Sequence, residues 1–129
     1  MTTQKGKIII QSGANVWPHE LKTAEALAAA GFTVEFIRKS KEQHATSADC
    51  IIDGVVWEMK APTANQLRRV QRTLRDALKQ SSNVIFDSRR MKGLPDKAIE
   101  RELRKWAGEL KRLDKLLFVG RGGAVVDIK

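Results

Sequence analysis

Residues 48–60 read Ala48-Asp49-Cys50-Ile51-Ile52-Asp53-Gly54-Val55-Val56-Trp57-Glu58-Met59-Lys60, two apolar runs joined by Asp53-Gly54. Asp-Gly between such runs is a strong hairpin signal, because a type I′ turn needs positive φ at both central residues. A two-residue loop fixes the register: Ile52 meets Val55, Ile51 meets Val56, Cys50 meets Trp57, and Asp49 meets Glu58. Directly opposed residues hold their Cβ atoms about 4.5–5.5 Å apart on one face. Two carboxylates placed that way repel unless a cation sits between them, and a divalent ion with oxygen ligands suits the pair. Lys60, two residues past Glu58, falls on the same face roughly 6–7 Å along the strand. Such a metal polarises a phosphoryl oxygen and acidifies a bound water. The lysine positions or deprotonates that water and offsets charge on phosphorus. Taken singly, the residues have plainer readings: Asp49 caps a strand start, Asp53 serves its turn, and Lys60 neutralises Glu58.

Outward from the hairpin, the pattern predicts mixed α/β architecture, a central sheet flanked by helices. Lys7–Gln11 is a short strand candidate ahead of the Ser12-Gly13 break. Pro18 suits a helix's first turn, with the helix running to about Ala30 and stopping at Gly31. Phe32–Ile37 alternates as a strand, with Phe32, Val34 and Phe36 on one face. Leu67, Val70, Leu74 and Leu78 mark a helix over 64–80, and Asn83–Phe86 is a strand. Pro95-Asp96 opens a helix with the stripe Ile99, Leu103, Trp106, Leu110 and Leu113. Lys115–Val119 and Ala124–Ile128 form a closing hairpin about Arg121-Gly122-Gly123. No repeat or linker divides the chain, so one domain over 1–129 is expected, with the polar segment 1–6 a candidate for disorder.

Two residues of the first helix are further site candidates. Glu20 shares a stripe with Ala24 and Leu27 and is a possible third acid. An acid in a first turn also complements the helix dipole, so both readings stand. His19 is placed to touch substrate, or simply to cap and face solvent.

The charge narrows the partner. Lys plus Arg is 24 against 15 Asp plus Glu, a net charge of +9, which favours a polyanion and chiefly nucleic acid. No apolar run is long enough to span a bilayer, and no membrane partner is expected. The polar start lacks the apolar stretch of a signal peptide. Cys50 is the one cysteine, which excludes an intrachain disulfide and suits a reducing compartment. Arg68, Arg72, Arg75 and Lys79 follow spacings of four, three and four, a basic stripe beginning soon after Lys60 and suited to phosphates. Arg69 lies beside it; Arg89, Arg90 and Lys92 form a second basic group. Tyrosine is absent, and Trp57 and Trp106 fall in core stripes, leaving Trp17, with Phe118 as a second candidate, to stack on a base. Recognition by shape and phosphate therefore fits better than extensive single-strand stacking.

A helix bearing an acid, then Asp, then a hairpin leading to Glu-x-Lys is similar to the PD-(D/E)xK nuclease superfamily. With the upstream Trp17-Pro18-His19-Glu20, the stretch 48–60 more closely resembles the C-terminal toxin domain of CdiA-type contact-dependent growth-inhibition proteins. The match runs from about Asn15 to the final hairpin, with Ala48 where the superfamily name has proline. The resemblance implies a restriction-endonuclease-like fold and metal-dependent phosphodiester cleavage, with tRNA as substrate. It implies Glu20, Asp49 and Glu58 as metal-site acids, Lys60 as catalytic lysine and the Met59 carbonyl as a further ligand. The ion would be Mg²⁺, Mn²⁺ or Zn²⁺. It also implies a cognate immunity protein, and action in the bacterial cytoplasm after delivery within a larger exported protein. Two alternatives stay open: a DNA endonuclease of the same fold on a mobile element, and a basic nucleic-acid-binding module without catalysis.

Overall fold

The computed structural model describes residues 5–38 and 49–129. Ala48, and with it the position of the superfamily's proline, lies outside the described residues, as do residues 1–4 of the polar segment. The elements run β1 (Ile8–Ile10), α1 (Pro18–Ala29), β2 (Val34–Phe36), β3 (Cys50–Ile52), β4 (Val55–Lys60), α2 (Arg68–Ala77), β5 (Asn83–Asp87), α3 (Asp96–Glu109), β6 (Lys115–Val119) and β7 (Val125–Asp127).

The Asp53-Gly54 turn is formed as its chemistry demands, with φ of 52° and 78°. The register follows from it: Ile52 pairs with Val55, Ile51 with Val56 and Cys50 with Trp57. A Cβ at Gly54 would meet nothing within 4 Å, so the glycine is there for its φ and not for space. Gly54→Val is therefore expected to cost roughly 1–2 kcal/mol through left-handed backbone strain, read as a lower urea midpoint at an unchanged slope.

All the strands lie in one mixed sheet whose spatial order is the chain order, β1 to β7. β1 and β2 are parallel, β3 is antiparallel to both β2 and β4, β4–β5–β6 are parallel, and β7 is antiparallel. Five strands consequently point the same way. Helices follow β1, β4 and β5, so α1, α2 and α3 all begin at the edge where those strands end. Asp49 enters β3 from that same edge, because β3 runs opposite to its neighbours. In open α/β sheets this carboxyl edge is the usual place for a ligand.

Each face of the sheet carries a buried core. Ala24 and Leu27 of α1 pack on Val34, Phe36, Cys50, Ile52, Trp57, Met59, Ile85, Leu117 and Val119. On the other face, Val70 and Leu74 of α2 and Ile99 and Leu103 of α3 pack on Val84, Phe86, Leu116 and Phe118. One boundary and one exposure differ from the sequence pattern. The helix expected over 64–80 starts only at Arg68, its entry made by three-residue backbone bonds from Arg69 to Gln66 and from Val70 to Leu67. Its first turn is rich in arginine and has no acid, which gives the helix dipole nothing to favour an earlier start. Phe118, expected to be available for stacking, is 2% exposed, because β6 is covered on both sides. Trp17, by contrast, is 60% exposed.

Candidate active site and basic edge

The hairpin ladder closes at Cys50 and Trp57, one pair short of Asp49 and Glu58. Asp49 donates its backbone N–H to the Trp57 carbonyl at 3.0 Å instead of pairing with Glu58. Its carboxylate then folds back, and Oδ2 accepts from the Met59 N–H at 2.9 Å. That amide is the peptide link leaving Glu58, so Asp49 is held against the Glu58–Met59–Lys60 segment by a bond to its backbone. Asp49 also lines a small cavity, about 90 Å³, with the helical acid Glu20 and with Gly13, Asn15, Phe36 and Ile37.

Glu58 and Lys60 share the face of β4 opposite Trp57 and Met59, as strand alternation requires. Glu58 is 6% exposed. Lys60 Nζ lies 3.6 Å from Glu58 Oε2, so a buried carboxylate has an ammonium beside it. Lys60 thus pairs with Glu58, Glu20 and Asp49 line one cavity, and the Met59 amide joins Asp49 to the strand that carries Glu58 and Lys60. Glu20, in the first turn, also caps the helix: its Oε1 accepts from the Trp17 N–H at 2.8 Å.

Among the described residues, no three His, Cys, Asp or Glu side chains converge as a metal-holding group. A preformed three-acid cage is thus not what these residues offer. Mg²⁺ is commonly held by one or two carboxylates and completed by waters and substrate phosphate, and the Glu20–Asp49 cavity fits that pattern. The oxygen-only donor set suits Mg²⁺ or Mn²⁺ better than Zn²⁺, which favours nitrogen and sulfur. Cys50 is buried and His19 lines a different cavity.

The basic residues divide by position. Arg68, Arg69 and Arg72, at the start of α2, line one cleft of about 320 Å³ on the carboxyl edge. Arg68 Nε donates to Gln66 Oε1 at 2.7 Å, which steadies one wall. Arg75 lines another cavity with Leu78, Glu109, Leu110, Lys111 and Arg112, and Lys79 pairs with Asp76 at 3.5 Å on the surface. The stripe read from spacing is therefore an arginine cluster at the edge, Arg75 further along the helix and Lys79 just past its end.

Arg89 and Arg90 are anchored differently from the freely exposed cations their sequence position suggests. Arg89 forks onto Asp87, with Nε 3.0 Å from Oδ1 and Nη2 2.8 Å from Oδ2. Asp87 is 3% exposed and accepts from Thr23 Oγ1 at 2.6 Å. The hydrogen bonds to Asp87, with its charge and that of Glu25, hold the Arg89 pKa above its ordinary value despite partial burial. Arg90 Nη1 bonds the Ala61 carbonyl, one residue past Lys60, at 3.0 Å. Thr23 and Asp87 are the components sequence reading missed. The signal for Asp87 was its place, an acid closing an apolar parallel strand at the carboxyl edge.

The sequence profile of the contact-dependent growth inhibition CdiA C-terminal domain matches residues 46–125, well over half of the chain. The chain belongs to that family. The matched stretch takes in Asp49, Glu58, Lys60 and the α2 arginines, and leaves α1 with His19 and Glu20 outside it. The fold of this CdiA C-terminal domain is also similar to a chain of the CdiA-CT/CdiI toxin and immunity complex from Burkholderia pseudomallei. That match has a TM-score of 0.75 and 20% identity, over 96% of this chain and 99% of that one. No curated protein matches in sequence. No helix among the described residues is long and apolar enough to cross a membrane.

Proposed function

We propose that this CdiA C-terminal domain is a toxin acting as a metal-dependent nuclease of the PD-(D/E)xK type, with tRNA as its substrate. The observation that carries the reading is the bond from the Met59 N–H to Asp49 Oδ2, which ties one acid to the strand bearing Glu58 and Lys60. Asp49 and Glu20 would hold a Mg²⁺ or Mn²⁺ ion, with Glu58 and the Met59 carbonyl as nearby candidates to complete its shell. A bound ion would supply electrophilic stabilisation of the phosphoryl oxygens and a more acidic water. Lys60, its ammonium kept beside Glu58, would offset charge developing on the phosphate and orient the attacking water. The arginine cleft at α2 and the net charge of +9 support a polyanionic substrate; tRNA in particular rests on resemblance.

A cognate immunity protein is part of the proposal. The similar solved fold is described as a toxin and immunity complex, and a domain that cuts tRNA endangers the cell that makes it. Delivery within a larger exported protein and action in the cytoplasm of a target bacterium complete the reading. Purified protein incubated with total tRNA, and separately with duplex DNA, in Mg²⁺, Mn²⁺ or Zn²⁺, is expected to cut the tRNA and to stop when the ion is chelated. Cleavage of DNA alone would move the assignment to a DNA endonuclease. Cleavage of neither, or cleavage indifferent to Asp49→Asn and Glu58→Gln, would remove the nuclease reading.

A further inference from the structure

Beside the acids and Lys60, a separate cavity of about 260 Å³ opens on the same carboxyl edge, lined by His19, Lys22, Asp87, Arg89 and Arg90. Its floor is built and not merely charged. Asp87 is almost wholly buried and accepts from four donor groups within this corner. They are the Arg89 backbone N–H at 3.0 Å, Arg89 Nε and Nη2, and Thr23 Oγ1. The second hydrogen of Arg89 Nη2 goes to the Lys22 carbonyl at 2.9 Å, so the guanidinium is gripped by a strand end and by helix α1 at once. Nη1 remains, with no hydrogen bond among the described residues; a Cβ at Gly123 would lie 3.9 Å from it. A guanidinium fixed on one side by a buried carboxylate presents its remaining N–H groups without losing side-chain freedom on binding.

The surroundings favour an oxyanion. The single carboxylate lining the cavity is already engaged by Arg89, while Lys22 and Arg90 are exposed and His19 is half-buried. Glu25, which acts on Arg89 from the next part of α1, is a second acid close enough to weaken an anion there. Arg90 is tied to the Ala61 carbonyl, so the cavity adjoins the end of β4 where Lys60 sits.

We propose that this cavity is a phosphate subsite, in which Arg89 Nη1, Lys22 and Arg90 receive a phosphodiester next to the one positioned at Asp49 and Lys60. Asp87 and Thr23 are positioning residues: they hold the guanidinium and do not touch the phosphate. The proposal deepens the nucleic-acid reading of the neighbouring site and rests on it, but it is tested without cleavage.

The protein, in excess chelator, is titrated with inorganic phosphate and with a twelve-nucleotide RNA while the Arg Nε–H resonances are followed by NMR. Both are expected to move the Arg89 signal. Lys22→Ala/Arg90→Ala is expected to weaken RNA binding at least fivefold and to lower the salt slope by about one for each phosphate no longer neutralised. Movement with RNA and not with free phosphate also upholds the subsite, assigning it to nucleic-acid phosphate. Movement with free phosphate alone marks an adventitious anion and overturns it, as does an RNA affinity and salt slope unchanged in the double variant. Arg89→Lys, which keeps the charge and loses the fork, is expected to weaken binding as well. Because chelator abolishes any metal-dependent cutting, a protein that binds RNA here but never cleaves would refute the nuclease and leave the subsite standing.

Discussion

Asp49→Asn is expected to lower tRNA cleavage by about three orders of magnitude while leaving the melting temperature within roughly 3 °C of the parent. The two halves of that expectation come from different atoms of one side chain. The amide retains an oxygen able to accept from the Met59 N–H, the bond now made by Oδ2 at 2.9 Å. The connection between Asp49 and the Glu58–Lys60 segment therefore survives, and with it the entry into β3. The negative charge, which would hold the ion beside Glu20, is lost. Removing one preorganised electrostatic contributor typically costs about 10²–10³ in rate, and here the same change also weakens metal binding. Asp49→Ala is the contrasting variant. It deletes the acceptor too, leaving the Met59 N–H to find another partner at roughly 1–3 kcal/mol, and should lower both activity and melting temperature. Equal rates for Asp49→Asn and the parent, under saturating Mg²⁺, would dismiss Asp49 from the chemistry.

The second large effect concerns stability. Asp87→Ala is expected to destabilise the fold by about 3 kcal/mol, from the cost of leaving a paired charge without its partner, after discounting for Arg89, whose side chain is 28% exposed. Thr23 Oγ1 keeps its contact with the His19 carbonyl at 3.1 Å, so the hydroxyl is not stranded. For a domain of this size the loss corresponds to a fall of roughly 10 °C in melting temperature. Replacing both partners, Asp87→Ala with Arg89→Leu, should recover part of it, since the stranded guanidinium is then gone. If the single and double variants melt together, the pair does not couple and the clamp between α1 and β5 is illusory.

The hairpin was legible because everything that sets it is local. Asp53 and Gly54 specify the turn, and the turn specifies three pairs in succession. The fourth failed for an equally local reason that carries no sequence mark: Asp49 gave its N–H to Trp57 and its side chain to Met59. Where partners are remote, sequence was silent. Thr23 and Asp87 are 64 positions apart, and neither residue alone announces a buried hydrogen bond. Arg89 looked like any surface arginine because the acid that fixes it, two residues earlier, reads only as the end of a strand. Phe118 was misjudged for a different reason. Leu116, Leu117, Phe118 and Val119 are all buried, so β6 has no polar face and its period-two signal is lost. The turn and the strands it joins were thus readable; the bond from Met59 to Asp49 and the anchoring of the second arginine group were not.

The coincidence of spatial and chain order in the sheet bears on how this domain comes together. Each strand hydrogen-bonds to the one synthesised just before it, as β2 does with β1 and β6 with β5, and no strand must wait for a distant segment to insert between two others. Loop-closure entropy is consequently met one connection at a time, although the parallel pairs β1–β2, β4–β5 and β5–β6 each span a helix. With that wiring, trimming the chain from either end strips edge strands one by one and leaves the middle of the sheet paired.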